Sequence, residues 1–192
     1  MRQAAHVEAT VSPAPAPHCV NRGRVGGPAL LLACGNAMRQ DDGIGLRIAE
    51  AAEQLFPATR LRIVAAQQFT PEMAADLAAT DLVIFVDACA ADEPGAIRVV
   101  SVAAEEESPD HPIEPTAGSP GAPGWETHRL DPPTLLAMAQ SLCGHAPARA
   151  FALTIGAGCF GYGEEISGPL RQAVPRALRL LTNLVTAFSA KA

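Results

Sequence analysis

The chain has 192 residues, of which 48% are hydrophobic and 18% charged, and this size and composition are typical of one globular domain. The formal net charge of -6 offers no basic surface to a phosphate backbone, which argues against nucleic-acid binding. The apolar runs, such as Leu82 to Val86, are far shorter than the roughly 18 residues that span a bilayer, which argues against a membrane protein.

The first 27 residues lack apolar periodicity and are rich in alanine, proline and glycine. Because such a composition buries too little apolar surface to offset the entropy of ordering, we expect a disordered leader over 1–27 and a single α/β domain over 28–192. The leader lacks the continuous apolar core of a signal peptide, so the expected compartment is the cytoplasm. The five cysteines are odd in number and widely spaced without a CxxC pair, which predicts free thiols rather than a disulfide framework or a zinc knuckle.

Short apolar runs, each ending at a turn or a polar residue, predict five strands. The first and third runs are apolar throughout, as in strands of a parallel sheet that is covered on both faces. The fourth run contains Arg98, which favours a position near the edge of the sheet or a strand with one open face. The predicted strands are Ala29 to Cys34, Leu61 to Ala65, Leu82 to Val86, Ala96 to Val102 and Ala150 to Ile155.

Segments with apolar residues at helical spacing lie between these strands. The first stripe begins at Ile44 and ends before Pro57. Thr70-Pro71-Glu72 and Asp131-Pro132 each combine a capping residue with proline at the first helical position, which predicts the start of a helix.

A long final helix is predicted from Leu170 to Phe188, with Pro175 either bending it or marking its start. Residues 103–127 show no such pattern, and we expect a long mobile loop there. Since strands and helices alternate, the predicted fold is α/β, with a three-layer, mostly parallel twisted five-stranded sheet and helices on both faces. Ligands bind such sheets at the carboxyl ends of the strands.

Two adjacent carboxylates follow the first predicted strand. Asp41 and Asp42 lie between glycines just before a helix, where acidic residues accept hydrogen bonds from free N–H groups. One carboxylate is enough for a helix cap, so the second is available to a cation or a donor. Capping alone is the alternative interpretation of the pair.

Asp87 and His128 are candidates for the same end of the sheet. Asp87 follows five apolar residues, and a carboxylate removed from water is costly unless loop N–H groups or a metal compensate it. Its place at a strand end favours a functional role. His128 precedes the helix start at Asp131 and is placed to reach the strand ends, although a single histidine is more often an ordinary surface residue.

Other candidate functional residues have structural explanations. Gly156 to Gly161 has GxGxxG spacing, but no helix opens directly after it, so we interpret it as a flexible turn and not as a dinucleotide site. Cys34, Cys89 and Cys159 fall near strand ends, where a free cysteine is usually a small buried apolar residue.

The motif Gly35-Asn36-x4-Asp41-Asp42-Gly43-x-Gly45, followed by Val86-Asp87-Ala88 and Thr127-His128-Arg129-Leu130, resembles the [NiFe]-hydrogenase maturation proteases. The resemblance covers about residues 28–185 and implies that Asp42, Asp87 and His128 coordinate a metal. It also implies an endopeptidase that removes a C-terminal extension from a hydrogenase large-subunit precursor after nickel insertion. The family often has glutamate at the position of Asp42.

Carboxylate and imidazole ligands suit borderline divalent ions, and three protein ligands leave coordination positions open. We expect the substrate to supply the nickel on its own cysteine thiolates, so that the ion serves as the recognition element, and we expect the enzyme to act as a monomer. The sequence offers no serine-type or cysteine-type nucleophile with its base, so water is the expected nucleophile. Either the metal activates the carbonyl or the water, or Asp41 acts as a general base.

Two rival functions come from other classes of protein. The first is a non-catalytic maturation chaperone that checks nickel loading while another protein cuts. The second is a nucleotide-binding enzyme built on the loop from Gly156 to Gly161.

Overall fold

The computed structural model describes residues 27–104 and 130–189 of the chain. The predicted leader, apart from Gly27, and nearly all of the loop predicted over 103–127 lie outside the described residues. His128 also lies outside them. Within the described residues, no helix is both long enough and apolar enough to cross a membrane.

Five strands form one sheet, as the sequence predicts. Their order across the sheet is β2, β1, β3, β5, β4, in which β4 runs antiparallel to β5 and the other neighbours are parallel. Since four of the strands are parallel and one edge strand is antiparallel, the predicted mostly parallel α/β sheet is confirmed. The strands are β1 (Ala29–Cys34), β2 (Leu61–Ala66), β3 (Leu82–Cys89), β4 (Ile97–Ser101) and β5 (Arg149–Gly156).

Helices cover both faces of this sheet. The helices are α1 (Ile44–Leu55), α2 (Ala74–Leu77), α3 (Pro132–Cys143) and α4 (Gly168–Ser189), with short 3₁₀ helices at Gln40–Gly43 and Pro71–Met73. Side chains alternate along β1, so that Leu31 packs with α1 and α4 while Leu30 and Leu32 pack with α2 and α3. Every residue of β1 is therefore buried, which explains the unbroken apolar run of this strand.

β3 lies in the middle of the sheet, whereas β4 lies at its edge. β3 continues beyond its predicted end, because Asp87 pairs with Thr154 and Cys89 pairs with Gly156 on β5. β4 lies at the edge, as Arg98 indicates, and within the described part of the chain it pairs with β5 alone. Its Val99 and Val100 are 37% and 44% exposed.

Three details differ from the expectations. α4 begins at Gly168 and runs through Pro175, so the proline does not mark the start of the helix. The helix after Thr70 is short, because only one 3₁₀ turn and the four residues of α2 follow it. Cys143 is disulfide-bonded, so the prediction of free thiols throughout is wrong there, whereas Cys34, Cys89 and Cys159 are free.

Candidate active site

The strand order reverses direction between β1 and β3. From β1 the chain leads to β2 on one side of the sheet, while β3 and β5 lie on the other side. The connections that leave the carboxyl ends of β1 and β3 therefore diverge, and this switch point is where open α/β sheets bind ligands. Asp41 and Asp42 follow β1, and Asp87 lies near the carboxyl end of β3.

Close backbone contacts hold the loop after β1 against the strand ends. A Cβ atom on Gly35, whose φ is +144°, would lie 1.9 Å from the carbonyl oxygen of Asp42. A Cβ atom on Gly45 would lie 2.2 Å from the carbonyl oxygen of Cys34 and 3.0 Å from that of Val86. Since no side chain fits at these distances, the two glycines allow the segment with Asp42 to pack directly on β1 and β3.

Asp42 is partly buried, and one of its two oxygens is used inside the loop. Its Oδ2 accepts a hydrogen bond from the amide of Asn36 over 3.0 Å. Among the described residues, its Oδ1 accepts no hydrogen bond, which leaves this oxygen available to a ligand. The 3₁₀ helix that carries Asp42 contacts β3, the strand of Asp87.

The structure gives Asp41 a different role. Its side chain is 0% exposed. Oδ2 accepts hydrogen bonds from the amides of Gly158 and Cys159 over 3.1 and 2.9 Å, and Oδ1 accepts one from the amide of Ser167 over 2.7 Å. Burial alone raises the pKa of Asp41, but the hydrogen bonds from Ser167, Gly158 and Cys159 together outweigh it and hold the pKa below its usual value.

These contacts bear on two sequence interpretations. Neither aspartate caps the 3₁₀ helix or α1 with its side chain, so capping of the helices that follow them does not explain the pair. A general base needs a basic lone pair within hydrogen-bond reach of the proton that it removes from the nucleophile. Both oxygens of Asp41 accept backbone hydrogen bonds and its pKa is low, so the geometry favours a structural role for Asp41 over the general base considered from sequence.

Hydrogen bonds join the segment 156–167 to the loop after β1, and they disfavour the flexible turn that the sequence predicts. The side-chain Oε1 of Gln40 accepts a hydrogen bond from the backbone amide of Gly161. The backbone amide of Gln40 donates to the carbonyl oxygen of Gly163. The amide of Gly163 in turn donates to the carbonyl oxygen of Met38 over 3.0 Å. Gln40 adopts a φ of +49°, an uncommon conformation for a residue with a side chain, and these contacts fix it.

The same hydrogen bonds disfavour a nucleotide at this GxGxxG segment. A phosphate needs free backbone N–H groups, and the amides of Gly158, Cys159 and Gly161 already donate to Asp41 and Gln40. The sequence did not indicate that Gln40 and the backbone amides of Gly158, Cys159 and Gly161 support the site. The density of glycines from Gly156 to Gly163 was the available signal, but it does not reveal which carboxylate the loop surrounds.

Asp87 is half-buried at the end of five buried residues of β3. Its Oδ1 accepts a hydrogen bond from the amide of Ala88 over 2.8 Å. The residue also lines a cavity of about 470 Å³ on the face of the sheet that α2 and α3 cover. We call this cavity the β4 cleft; its lining residues are Phe69, Phe85, Asp87, Ala88, Cys89, Val100, Ser101, Val102, Ala103, Pro132, Pro133, Ala152 and Thr154.

The start of α3 forms one wall of this cleft. Asp131 caps the helix by accepting a hydrogen bond from the amide of Thr134 over 2.8 Å, as the sequence predicts. Pro132 and Pro133 line the cleft together with Asp87. His128 precedes Pro132 by only four positions in the sequence, but it lies outside the described residues and its place in the site stays a prediction.

The predicted set of three metal ligands stays a prediction. Asp42 lies in the 3₁₀ helix that follows β1, and Asp87 lies near the carboxyl end of the adjacent strand β3. Within residues 27–104 and 130–189, no group of three or more His, Cys, Asp or Glu side chains is arranged to hold a metal ion. Two carboxylates and an imidazole suit a borderline divalent ion, so the predicted set of Asp42, Asp87 and His128 fits nickel chemically.

Comparison with known proteins identifies similar structures. No protein-family model matches the sequence, and no curated protein matches it either. The hydrogenase maturating endopeptidase HybD from E. coli superposes with a TM-score of 0.63 at 20% identity, over 83% of this chain and 93% of that protein. The [NiFe] hydrogenase maturation protease HycI from Thermococcus kodakarensis gives a TM-score of 0.58 at 20% identity, over 85% and 95%.

The endopeptidase HycI from Escherichia coli is also similar, with a TM-score of 0.54 at 19% identity over 79% of this chain and 87% of that protein. These matches were found by comparing three-dimensional structures. They agree with the resemblance to the [NiFe]-hydrogenase maturation proteases that the sequence motifs show. The chain therefore has the fold of the hydrogenase maturation endopeptidases.

Proposed function

We propose that this protein is an endopeptidase that removes the C-terminal extension of a [NiFe]-hydrogenase large-subunit precursor after nickel insertion. The observation that carries the proposal is the position of Asp42 and Asp87 at the switch point of a fold found in hydrogenase maturation endopeptidases. The proposed site of action is the cytoplasm.

We further propose that Asp42, Asp87 and His128 bind the nickel ion of the precursor, which remains attached to the precursor's thiolates. The available Oδ1 of Asp42 and the position of Asp87 in the β4 cleft support this arrangement. Nickel is then part of the substrate, and its charge neutralises two carboxylates that would otherwise repel each other. A precursor without nickel lacks this interaction and docks poorly.

Water is the proposed nucleophile. The metal supplies the chemistry in one of two ways, by polarising the scissile carbonyl or by lowering the pKa of the attacking water. A role for Asp41 as general base loses support, because its carboxylate is buried under three backbone N–H groups. Asp41 instead holds the segment 156–167 beside the metal ligands.

Three substitutions test the assignment of the ligands. Asp42→Ala, Asp87→Ala and His128→Ala each remove one proposed ligand and should abolish processing of a purified nickel-loaded precursor, while the proteins remain folded by circular dichroism. Glu53→Ala removes an exposed carboxylate of α1 and serves as the matched control, which should cleave normally. Normal cleavage by the Asp87→Ala protein would contradict the assignment.

The same assay separates the enzyme from the non-catalytic chaperone. If the protein is the endopeptidase, the purified chain and the nickel-loaded precursor alone give a shortened large subunit on a gel. A chaperone would bind the precursor without shortening it.

A further inference from the structure

The floor of the β4 cleft is formed by side chains from three neighbouring strands. Phe85 on β3, Ala152 on β5 and Val100 on β4 are paired in register and form one apolar row across the sheet. Asp87 pairs with Thr154 in the adjacent row of the same face. Residues two apart along a strand are separated by about 6.6 Å, so the apolar row lies about that far from the row of Asp87.

The described lining has the chemical character of a site for an apolar group. Asp87 is its one charged side chain, and the other polar members are Cys89, Ser101 and Thr154. Arg98 also pairs with Thr154 in register, but its guanidinium forms an ion pair with Asp92 and does not line the cleft. No cation is therefore present among the described lining residues to bind an acidic side chain.

Aromatic rings and prolines give the cleft fixed walls. Phe69 and Phe85 meet edge to face with their ring centroids 5.5 Å apart. Pro132 and Pro133 lie at the start of α3, where proline restricts the backbone. Val100 is 44% exposed at the open side, so an apolar occupant would cover it.

We propose that the β4 cleft is the specificity pocket of the enzyme and binds an apolar side chain of the precursor's peptide within two residues of the scissile bond. The inference rests on the proposed function, because it takes the scissile bond to lie at Asp87. An extended peptide advances by about 3.3 Å per residue, so a side chain up to two residues from a bond at Asp87 reaches the apolar row. Continuity between the cleft and Asp87 identifies the peptide substrate as the occupant.

Two neighbouring valines on the exposed edge strand give a matched test. Val100 lines the cleft, whereas Val99 does not, since successive side chains of a strand point to opposite faces. Val100→Asp should lower kcat/KM for the nickel-loaded precursor at least tenfold, mainly through KM, because it places a carboxylate in the pocket. Val99→Asp introduces the same charge at a similarly exposed position and should cleave as the unmodified protein does.

A positive charge introduced into the substrate identifies the occupant. Precursors are prepared in which each of the two residues on either side of the scissile bond is replaced in turn by lysine. One of these variants should be cleaved at least tenfold more slowly by the unmodified protein, and Val100→Asp should restore much of that loss. If the unmodified protein cleaves all four variants like the native precursor, the specificity pocket is contradicted while the proposed function stands. If it cleaves no nickel-loaded precursor, the proposed function fails and the pocket fails with it.

Cys89 provides a second readout that does not depend on folding of the Val100→Asp protein. Its thiol is free, half-buried and part of the cleft lining. In a Cys159→Ser background, the nickel-loaded precursor should slow alkylation of Cys89 about tenfold. Alkylation at the same rate with and without the nickel-loaded precursor would show that the precursor does not occupy the cleft and would overturn the proposal.

Discussion

Asp41 and Asp42 are adjacent in the sequence, but their carboxylates have different surroundings. Asp41 is fully buried and accepts three backbone hydrogen bonds from the segment 156–167. Asp42 is partly exposed and accepts one hydrogen bond, from the amide of Asn36. Stability and ligand binding are therefore expected to depend on different members of the pair.

Alanine substitutions separate these two roles. Asp41→Ala leaves three N–H groups without their charged acceptor and should lower the free energy of unfolding by about 3 kcal/mol. Asp42→Ala loses one partly exposed hydrogen bond and should cost about 1 kcal/mol or less, while it abolishes precursor processing. Urea unfolding of both variants measures the difference. Equal losses of stability would contradict the division of roles.

The lowered pKa of Asp41 predicts a dependence of stability on pH. Because the folded-state pKa lies below its usual value of 3.8, the ionised carboxylate stabilises the folded protein above that pH. This stabilisation is lost as the pH falls through the folded-state pKa. The difference in free energy of unfolding between the unmodified protein and Asp41→Asn should therefore be largest near neutral pH and shrink below about pH 4.

Chemical denaturation of the two proteins at several pH values measures this difference, and the comparison cancels the contributions of the other carboxylates. A difference that stays constant from neutral to acidic pH would show that Asp41 is not the group responsible. A difference that grows in acid would contradict the direction of the pKa shift.

Local sequence patterns locate the acidic candidates, but only the family resemblance distinguishes Asp42 from Asp41. Strand ends can be predicted from the apolar runs before them, and both aspartates follow such a run. The partner that determines the role of Asp41 is Ser167, which is 126 positions away. A local pattern carries no information about a contact at that separation.

At the level of elements, the position of α1 depends on its first turn. Gly45 lies in this turn, and its Cα approaches the carbonyl oxygens of Cys34 and Val86 so closely that a Cβ would lie 2.2 and 3.0 Å from them. Alanine is the better helix former, so propensity alone predicts that Gly45→Ala stabilises the protein. The contacts predict the opposite, because backbone atoms have no flexible end that could move away.

We expect Gly45→Ala to lower the free energy of unfolding by about 3 kcal/mol. Gly168 is the matched control, since it lies in the first turn of α4 and a Cβ there would find its nearest neighbour 3.9 Å away, on the side chain of Arg171. Gly168→Ala should leave stability unchanged or raise it by less than about 1 kcal/mol. Thermal or urea unfolding of both variants is the measurement, and equal behaviour would contradict the close packing of α1 on the strand ends.

Most elements can be predicted from local patterns, and the exceptions have long-range causes. β1 and α1 have the predicted bounds, because an unbroken apolar run and a helical stripe ending at Pro57 are strong local signals. β3 is longer than its apolar run, because pairing with β5 continues through Asp87. Pairing between strands that are far apart in sequence is not visible in the run itself.

At the level of the whole molecule, the candidate site follows from the order of the strands. Alternating strands and helices predict a parallel sheet, and the carboxyl ends of its strands then form the ligand-binding edge. The sequence alone does not give the order β2, β1, β3, β5, β4, and this order places β1, which leads to Asp42, beside β3, which carries Asp87. The antiparallel direction of β4 is equally hidden, although Arg98 indicates its edge position.

The central claim is that this chain shortens a hydrogenase large subunit at its C-terminus. Mass spectrometry of the large subunit from cells that carry the gene, cells that lack it, and cells that carry only Asp87→Ala tests this claim most directly. The account predicts a large subunit without its extension in the first cells and with the complete extension in the other two. A shortened large subunit in cells that lack the gene would contradict the account.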